Sequence, residues 1–199
     1  VTSERDGLSA VIDDAALIAQ SRRRPDRFAE LYDRYFREIY AYISGRLGGQ
    51  IADDLAAEVF LVAFRKRDSF DPARGSVRPW LYGIATNLVA QHRRSETRRL
   101  EALRRTPRDT TAEHGHEDLV ATRVTAASAQ GQLAAAIGDL PDGDRDVLVL
   151  VALAELTYEE VAQALDIPFG TVGSRLNRVR RKLRARFGDV NPMLGETHG

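Results

Sequence analysis

The sequence predicts an all-α protein made of two small helical domains joined by a flexible linker. Three features point there. Apolar residues recur at steps of three and four through long blocks of the chain, the period of an amphipathic helix. The one run that reads as a strand, "VLVLVAL" at 147–153, has no partner strand, and for that reason is taken as buried helix. Between about Ser95 and Gln130 the chain turns polar and charged and offers few residues to a core, as a tether does, one partly helical at its ends with a basic first half and an acidic second half.

"DAALIAQS" is a short helix with Asp13 or Asp14 suited to cap it. From Asp26 to Leu47, Phe28, Leu31, Tyr32, Tyr35, Phe36, Ile39, Tyr40 and Ile43 mark one long amphipathic helix. After the turn "GRLGGQ", the segment "ADDLAAEVFLVAFRKR" keeps the helical period but has a wide apolar arc. Leu55, Val59, Val62 and Ala63 form a stripe that Phe60 and Phe64 extend, with Asp54, Glu58, Leu61 and Arg65 on the other side. "DSFDPARGSVRP" breaks the pattern with Pro, Gly and Asp. The next helix, "WLYGIATNLVAQHRR", sets Trp80, Ile84 and Leu88 on one stripe and Asn87 and Arg94 to one side.

The last block, from "QLAAAIGDLPDGDRDVLVLVAL" through Phe187, is helical again. Thr157 and Glu160 make a capping box, and Leu156 and Val161 are spaced as a hydrophobic staple. A short helix runs to Leu165, "DIP" turns the chain, and Pro168 is tolerated only in the first turn of the final helix. That helix aligns Val172, Leu176, Val179, Leu183 and Phe187 inward and leaves Gly170, Ser174, Asn177, Arg178 and Arg181 outward. Two short helices with a tight turn read as a helix-turn-helix, whose second helix enters the DNA major groove.

Charge agrees with that reading only locally. The 199 residues carry 29 basic and 29 acidic side chains, so net charge attracts no polyanion. Arg175, Arg178, Arg180, Arg181, Lys182, Arg184 and Arg186 nevertheless crowd onto the last helix with no acid after Asp166 up to Phe187. One or two arginines there would merely favour the helix macrodipole; this many on a capped helix-turn-helix indicate DNA.

The remaining composition excludes several classes. No cysteine is present, so disulfides, thiolate metal sites and cysteine nucleophiles are out. "VTSERDGLSAVIDD" lacks the features of a signal peptide, and no apolar run approaches the ~20 residues of a bilayer span. A cytoplasmic protein without membrane insertion is expected. Catalysis is not expected: Asp53, Asp54 and Glu58 do not converge on one helix face, and His114, His116, Glu117 and Asp118 lie in the core-poor segment. An ordinary activator or repressor would explain the last block but leave the first hundred residues without a purpose.

The "DDLAAEVFLVAF" and "RPWLYGIATNLVAQHRR" segments with the terminal helix pair resemble, in family order, the extracytoplasmic-function (group IV) sigma factors of bacterial RNA polymerase. The resemblance runs from about Asp14 to Phe187. It implies an N-terminal tail over 1–13, a domain over 14–95 that binds core polymerase and the minus-ten element, and a linker over 96–130. A minus-thirty-five-binding helix-turn-helix domain over 131–188 and a tail over 189–199 complete the division. By resemblance Asp54, Leu55, Glu58, Phe60 and Leu61 contact core polymerase, although Phe60 also reads as ordinary core. Phe70 and Asn87 match a pocket for a flipped base, with Arg78, Arg93 and Arg94 on phosphates. Trp80 resembles a wedge, yet its stripe with Ile84 reads as core. Thr171, Ser174, Arg175, Asn177, Arg178 and Arg181 match the upstream reader. Gly173 departs from the family's usual basic residue, so upstream preference leans on its neighbours. The acidic "EHGHEDLV" of the linker is either an RNA mimic near the polymerase active centre or a solvated tether. The resemblance further implies promoter DNA and an anti-sigma factor as partners, and no cofactor.

Overall fold

The computed structural model describes residues 13–105 and 129–188, and every regular element within them is helical. The chain divides into two compact units that meet in sequence between Gln91 and His92.

The first unit comprises α1 (Asp14–Ser21), a 3-10 turn (Pro25–Phe28), α2 (Ala29–Leu47), α3 (Gly49–Lys66), two short 3-10 turns (Arg67–Ser69 and Pro72–Arg74) and the start of α4 (Val77–Arg105). Asp13 occupies the N-cap of α1 without a side-chain cap bond. Asp14 instead pairs with Arg34 and accepts from the Tyr35 hydroxyl, tying α1 to α2. The long helix expected from Asp26 begins as a 3-10 turn, with Pro25 in its first turn and Phe28 buried. The six-residue turn "GRLGGQ" shrinks to Gly48 alone. Gly45, Arg46 and Leu47 finish α2, and Gly49 opens α3. Gly48 sits at φ 87°, a region glycine enters without a Cβ penalty. Gly45 stays helical because the roughly 1 kcal/mol a helical glycine costs is small beside the burial of Tyr42 and Ile43 next to it.

Leu17, Ile18, Leu31, Ile39, Ile43, Val59, Val77, Leu81 and Val89 are the largest fully buried groups here. Each contributes about 1.5 to 3 kcal/mol by leaving water. The buried stripe of α4 is therefore Val77, Leu81, Ile84, Ala85 and Val89, rotated from the expected Trp80, Ile84 and Leu88; Trp80 and Leu88 are only half-buried. Tyr42, absent from the stripe expected for α2, is 3% exposed. Its hydroxyl lies 2.6 Å from Thr86 Oγ1 and accepts from Arg46 at 2.7 Å, which joins α2 to α4.

Helix α4 continues without interruption through Ser95 to Arg105, so the helical start expected of the linker extends over its first ten residues. Arg98 donating to the Arg94 carbonyl and the Arg99–Glu96 pair at 3.7 Å lie along that stretch. The rest of the expected linker, up to residue 128, including His114, His116, Glu117 and Asp118, lies outside the described residues.

The second unit holds α5 (Ala129–Gly138), α6 (Asp142–Ala152), α7 (Tyr158–Leu165) and α8 (Phe169–Phe187). "VLVLVAL" is helical, with Val147, Val149 and Leu150 buried in α6. Arg145 donates to the carbonyls of Ile137 at 3.0 Å, Leu140 at 2.7 Å and Gly138, adding a donor at the C-terminus of α5 beside the Leu140 N–H bond to Ile137. The capping box forms as expected. Glu160 N–H donates to Thr157 Oγ1 at 3.2 Å, and Thr157 N–H donates to Glu160 Oε2 at 2.9 Å. Leu156 and Val161, the staple pair, are both buried. Asp166 ends α7 in the left-handed region at φ 50°, and Pro168 stands at the N-cap of α8. Val172, Leu176 and Val179 are buried where α8 packs on α6 and α7, while Leu183 and Phe187 are half-buried.

Candidate nucleic-acid and protein interfaces

Helix α3 separates the five residues expected to form one contact set. Leu55 is 8% exposed and Phe60 is 4% exposed, so both hold the helix in place instead of facing a partner. The cause is the neighbouring aromatic seam: Phe60 meets Tyr32 edge-on at 5.0 Å, and Phe36 lies 6.2 Å away. Phe64 likewise packs edge-on against Phe28 at 5.3 Å. Asp54, Ala57, Glu58, Leu61 and Arg65 form the exposed stripe, at spacings of three and four. Leu61 is 49% exposed between two carboxylates and an arginine, an arrangement suited to a partner offering cations around an apolar centre.

The loop after α3 is built around Arg22, a residue that carries no sequence signal. Its Nη2 donates to the carbonyls of Arg67 at 3.3 Å, Asp68 at 3.2 Å and Phe70 at 3.2 Å. Asp71 caps the following turn by accepting from Ala73 N–H. No sequence pattern marks an arginine 45 to 48 residues from its acceptors. Phe70, expected as a stacking platform, is 6% exposed, with its ring centroid 5.1 Å from that of Trp80. The open aromatic face expected at Phe70 is thus the inner half of a pair whose half-buried outer member is Trp80.

Asn87 is exposed on α4, immediately after the buried Thr86. Arg78 donates through Nε to Glu38 Oε2 at 2.9 Å and lies 5.5 Å over the Tyr82 ring. Burial first, and then the Glu38 carboxylate, push the Tyr82 hydroxyl up to about 12. Further along α4, Arg94 is exposed and Arg93 half-buried. Arg94 comes seven residues after Asn87 and so shares its face.

On α8, Ser174 donates to the Thr171 carbonyl at 3.0 Å. Asn177 accepts from Arg180 Nη1 at 3.3 Å, and Arg180 Nη2 reaches the Tyr158 hydroxyl at 3.5 Å. Arg178 Nη1 donates to Asp144 Oδ1 at 2.9 Å, Arg175 Nη1 donates to the Gly143 carbonyl at 3.2 Å, and Arg186 pairs with Asp139 at 2.5 Å. Arg181 and Lys182 are exposed. Gly170 and Gly173 face open space, so the outward face of α8 is flat at those positions and can approach a duplex closely. Phe169, 54% exposed at the first position of α8, also borders that face and is absent from the expected set. An apolar ring at the start of the basic helix is the sequence signal that marks it.

Comparison with known proteins finds two family matches along the chain. Residues 31–99 match the model of Sigma-70 region 2, and residues 130–183 match that of Sigma-70, region 4. The ECF RNA polymerase sigma factor SigW of Bacillus subtilis (strain 168) is 33% identical over 175 residues, spanning 83% of this chain and 91% of that protein. ECF RNA polymerase sigma factor SigC of Mycobacterium tuberculosis (strain CDC 1551 / Oshkosh) is 35% identical over 143 residues, or 67% of this chain and 69% of its own length. Among solved structures, CnrH in complex with the cytosolic domain of CnrY superposes with a TM-score of 0.59 at 27% identity, covering 87% of this chain and 96% of CnrH. The sigma factor RpoE in complex with the anti-sigma factor NepR from Bartonella quintana gives 0.58 at 20% identity over 79% and 94% of the two chains, a likeness of fold.

Proposed function

Because the chain belongs to the ECF RNA polymerase sigma factors, we propose that it binds core RNA polymerase and directs it to the promoters of one regulon. The observation that carries the reading is the pairing of two surfaces on one chain: the exposed Asp54–Glu58–Leu61 stripe of α3 and the basic, glycine-flattened α8 of a capped helix-turn-helix.

The division of labour comes from the chemistry of each surface. Asp54, Glu58 and Leu61 meet core polymerase, while Leu55 and Phe60 support them from inside. Asn87 offers an amide to the edge of an unpaired base. The Phe70–Trp80 pair supplies aromatic surface beside the loop that Arg22 holds, and base stacking on such surface is worth about 1 to 3 kcal/mol. Arg93 and Arg94 bind phosphates, with a smaller share from Arg78, whose charge Glu38 offsets. Thr171, Ser174, Arg175, Asn177, Arg178 and Arg181 contact the duplex upstream. Trapping of unpaired bases lets binding energy hold the strands open, so the protein acts stoichiometrically, without a cofactor and without catalysis of its own. It works in the cytoplasm, where the polymerase is.

An anti-sigma partner is part of the reading. CnrH was solved in complex with the cytosolic domain of CnrY and RpoE with the anti-sigma factor NepR; here a protein that occludes α3 or α8 would be a partner of that kind. No membrane-spanning candidate occurs among the described residues.

The test is reconstitution. The purified chain, free of any inhibitor, should form a complex with core polymerase and confer start sites that share upstream and minus-ten bases. Core polymerase that fails to bind it at high concentration overturns the reading. Transcription that requires another sigma factor to be present would instead indicate an ordinary regulator.

A further inference from the structure

The seven basic residues of α8 are not held alike. Asp144, in the first turn of α6, is 2% exposed, a burial that a carboxylate tolerates only with a cation or hydrogen-bond donors at hand. Its Oδ1 accepts from Arg178 Nη1 at 2.9 Å, and Oδ2, also buried, has no hydrogen-bond partner among the described residues. One guanidinium nitrogen is therefore pinned to a rigid helix start, while the side chain as a whole remains about half exposed, at 48%. Its neighbour one turn away is held in the same way: Arg175 donates to the Gly143 carbonyl, one residue before Asp144. A Cβ at Gly143 would lie 2.6 Å from Arg175 Nη1, so only glycine lets that guanidinium lie there.

An arginine anchored through one nitrogen differs physically from a mobile one. Its fork is fixed in direction, which favours bidentate contact with a guanine edge, and its charge is offset by the carboxylate, which weakens it as a phosphate binder. Arg181 and Lys182 are exposed on the same helix and reach outward instead of back to α6. We propose that Asp144 is the positioning residue that fixes Arg178 to read a base edge, leaving the phosphate grip to Arg181 and Lys182. The proposal rests on the sigma-factor reading, and it adds a specificity device outside the recognition helix.

The test uses holoenzyme assembled from core polymerase and the full chain. A duplex pool randomised across the upstream element gives the base preference, and competition between the selected duplex and a scrambled one gives discrimination across a salt series. Asp144→Ala should lose about tenfold in discrimination, at the same base positions that Arg178→Ala relaxes. Affinity for the scrambled duplex should hold or rise, with a steeper salt slope, because a carboxylate is gone and Arg178 is released. Asp144→Asn keeps an acceptor oxygen and should fall between the wild type and Asp144→Ala; it carries the same readout if the alanine variant does not fold. Equal loss of affinity for both duplexes, unchanged preference, or relaxation at positions unlike those of Arg178→Ala would overturn the proposal. Core binding measured on the same preparations separates the two ideas. Failure of the unmutated chain to bind core removes the sigma reading, whereas intact binding with unchanged preference in Asp144→Ala removes only this one.

Discussion

At the scale of single residues, the side chains with the least sequence signal do much of the positioning. Arg22 holds three loop carbonyls, those of Arg67, Asp68 and Phe70, through one nitrogen, so Arg22→Ala should cost about 1 to 2 kcal/mol, the low end for charged hydrogen bonds because the group is partly exposed. The functional consequence should be larger than the thermal one. Core binding should persist while strand opening, monitored by permanganate reactivity of unpaired thymines, declines; normal opening would show that the loop keeps its shape unaided. Tyr82 gives a pH dependence whose sign is fixed. Its hydroxyl titrates near 10.0 when unfolded and at about 12 in the fold, so above pH 10 the unfolded chain releases a proton that the native one retains. Stability is then full below pH 10 and falls as pH rises toward 12. Tyr35, raised by its own burial and by Asp14, pushes in the same direction. Tyr82→Phe should reduce the alkaline loss of melting temperature, and an unaltered alkaline profile would count against this assignment. Residues whose role is local, such as Thr157 and Glu160, are legible from four consecutive letters. Arg22 and Asp144 are not, because each acts on a partner tens of residues away that only the fold brings near.

At the scale of elements, periodicity identifies helices well and their buried faces less well. The wide apolar arc of α3 looks in sequence like surplus hydrophobicity available to a partner, but Leu55 and Phe60 are buried, Phe60 against Tyr32 and Phe36 of α2. Helical period alone does not say which edge of a wide arc is covered, since that depends on where the neighbouring helix crosses. The same ambiguity moves the α4 stripe from Trp80 and Leu88 to Leu81 and Val89. The glycine turn is shorter than its composition suggests because packing keeps Gly45 and Gly49 helical and leaves only Gly48 at positive φ. With the faces of α3 fixed, its exposed and buried positions call for opposite outcomes. Asp54→Lys with Glu58→Lys alters exposed positions, so melting should stay within about 0.5 kcal/mol of the unmutated chain. Affinity for core polymerase should drop by at least about tenfold, as like-charge contacts at an interface cost several kcal/mol. Phe60→Ala, by contrast, should cost about 3 to 5 kcal/mol in stability, and reduced binding there would come from unfolding. Equal effects of the two changes on stability would mean that the exposed stripe is structural after all.

At the scale of the whole molecule, the decisive property is a zero net charge with strong local asymmetry. Because the mean charge attracts nothing, binding to DNA must respond to salt according to the few cations that touch phosphates, each adding about 0.9 to the slope of log affinity against log salt. Arg178 contributes little to that slope because Asp144 offsets its charge, whereas the exposed Arg181 and Lys182 are among the larger contributors on α8. Replacing both by alanine should reduce the slope of holoenzyme binding to upstream duplex by about 2, lower affinity for all sequences alike, and leave the ranking of base preferences intact. Filter binding over a salt series, with selected and scrambled duplexes side by side, measures both quantities in one experiment. If ranking changes while slope does not, Arg181 reads bases, and the line between gripping and reading drawn through α8 runs on the wrong side of it.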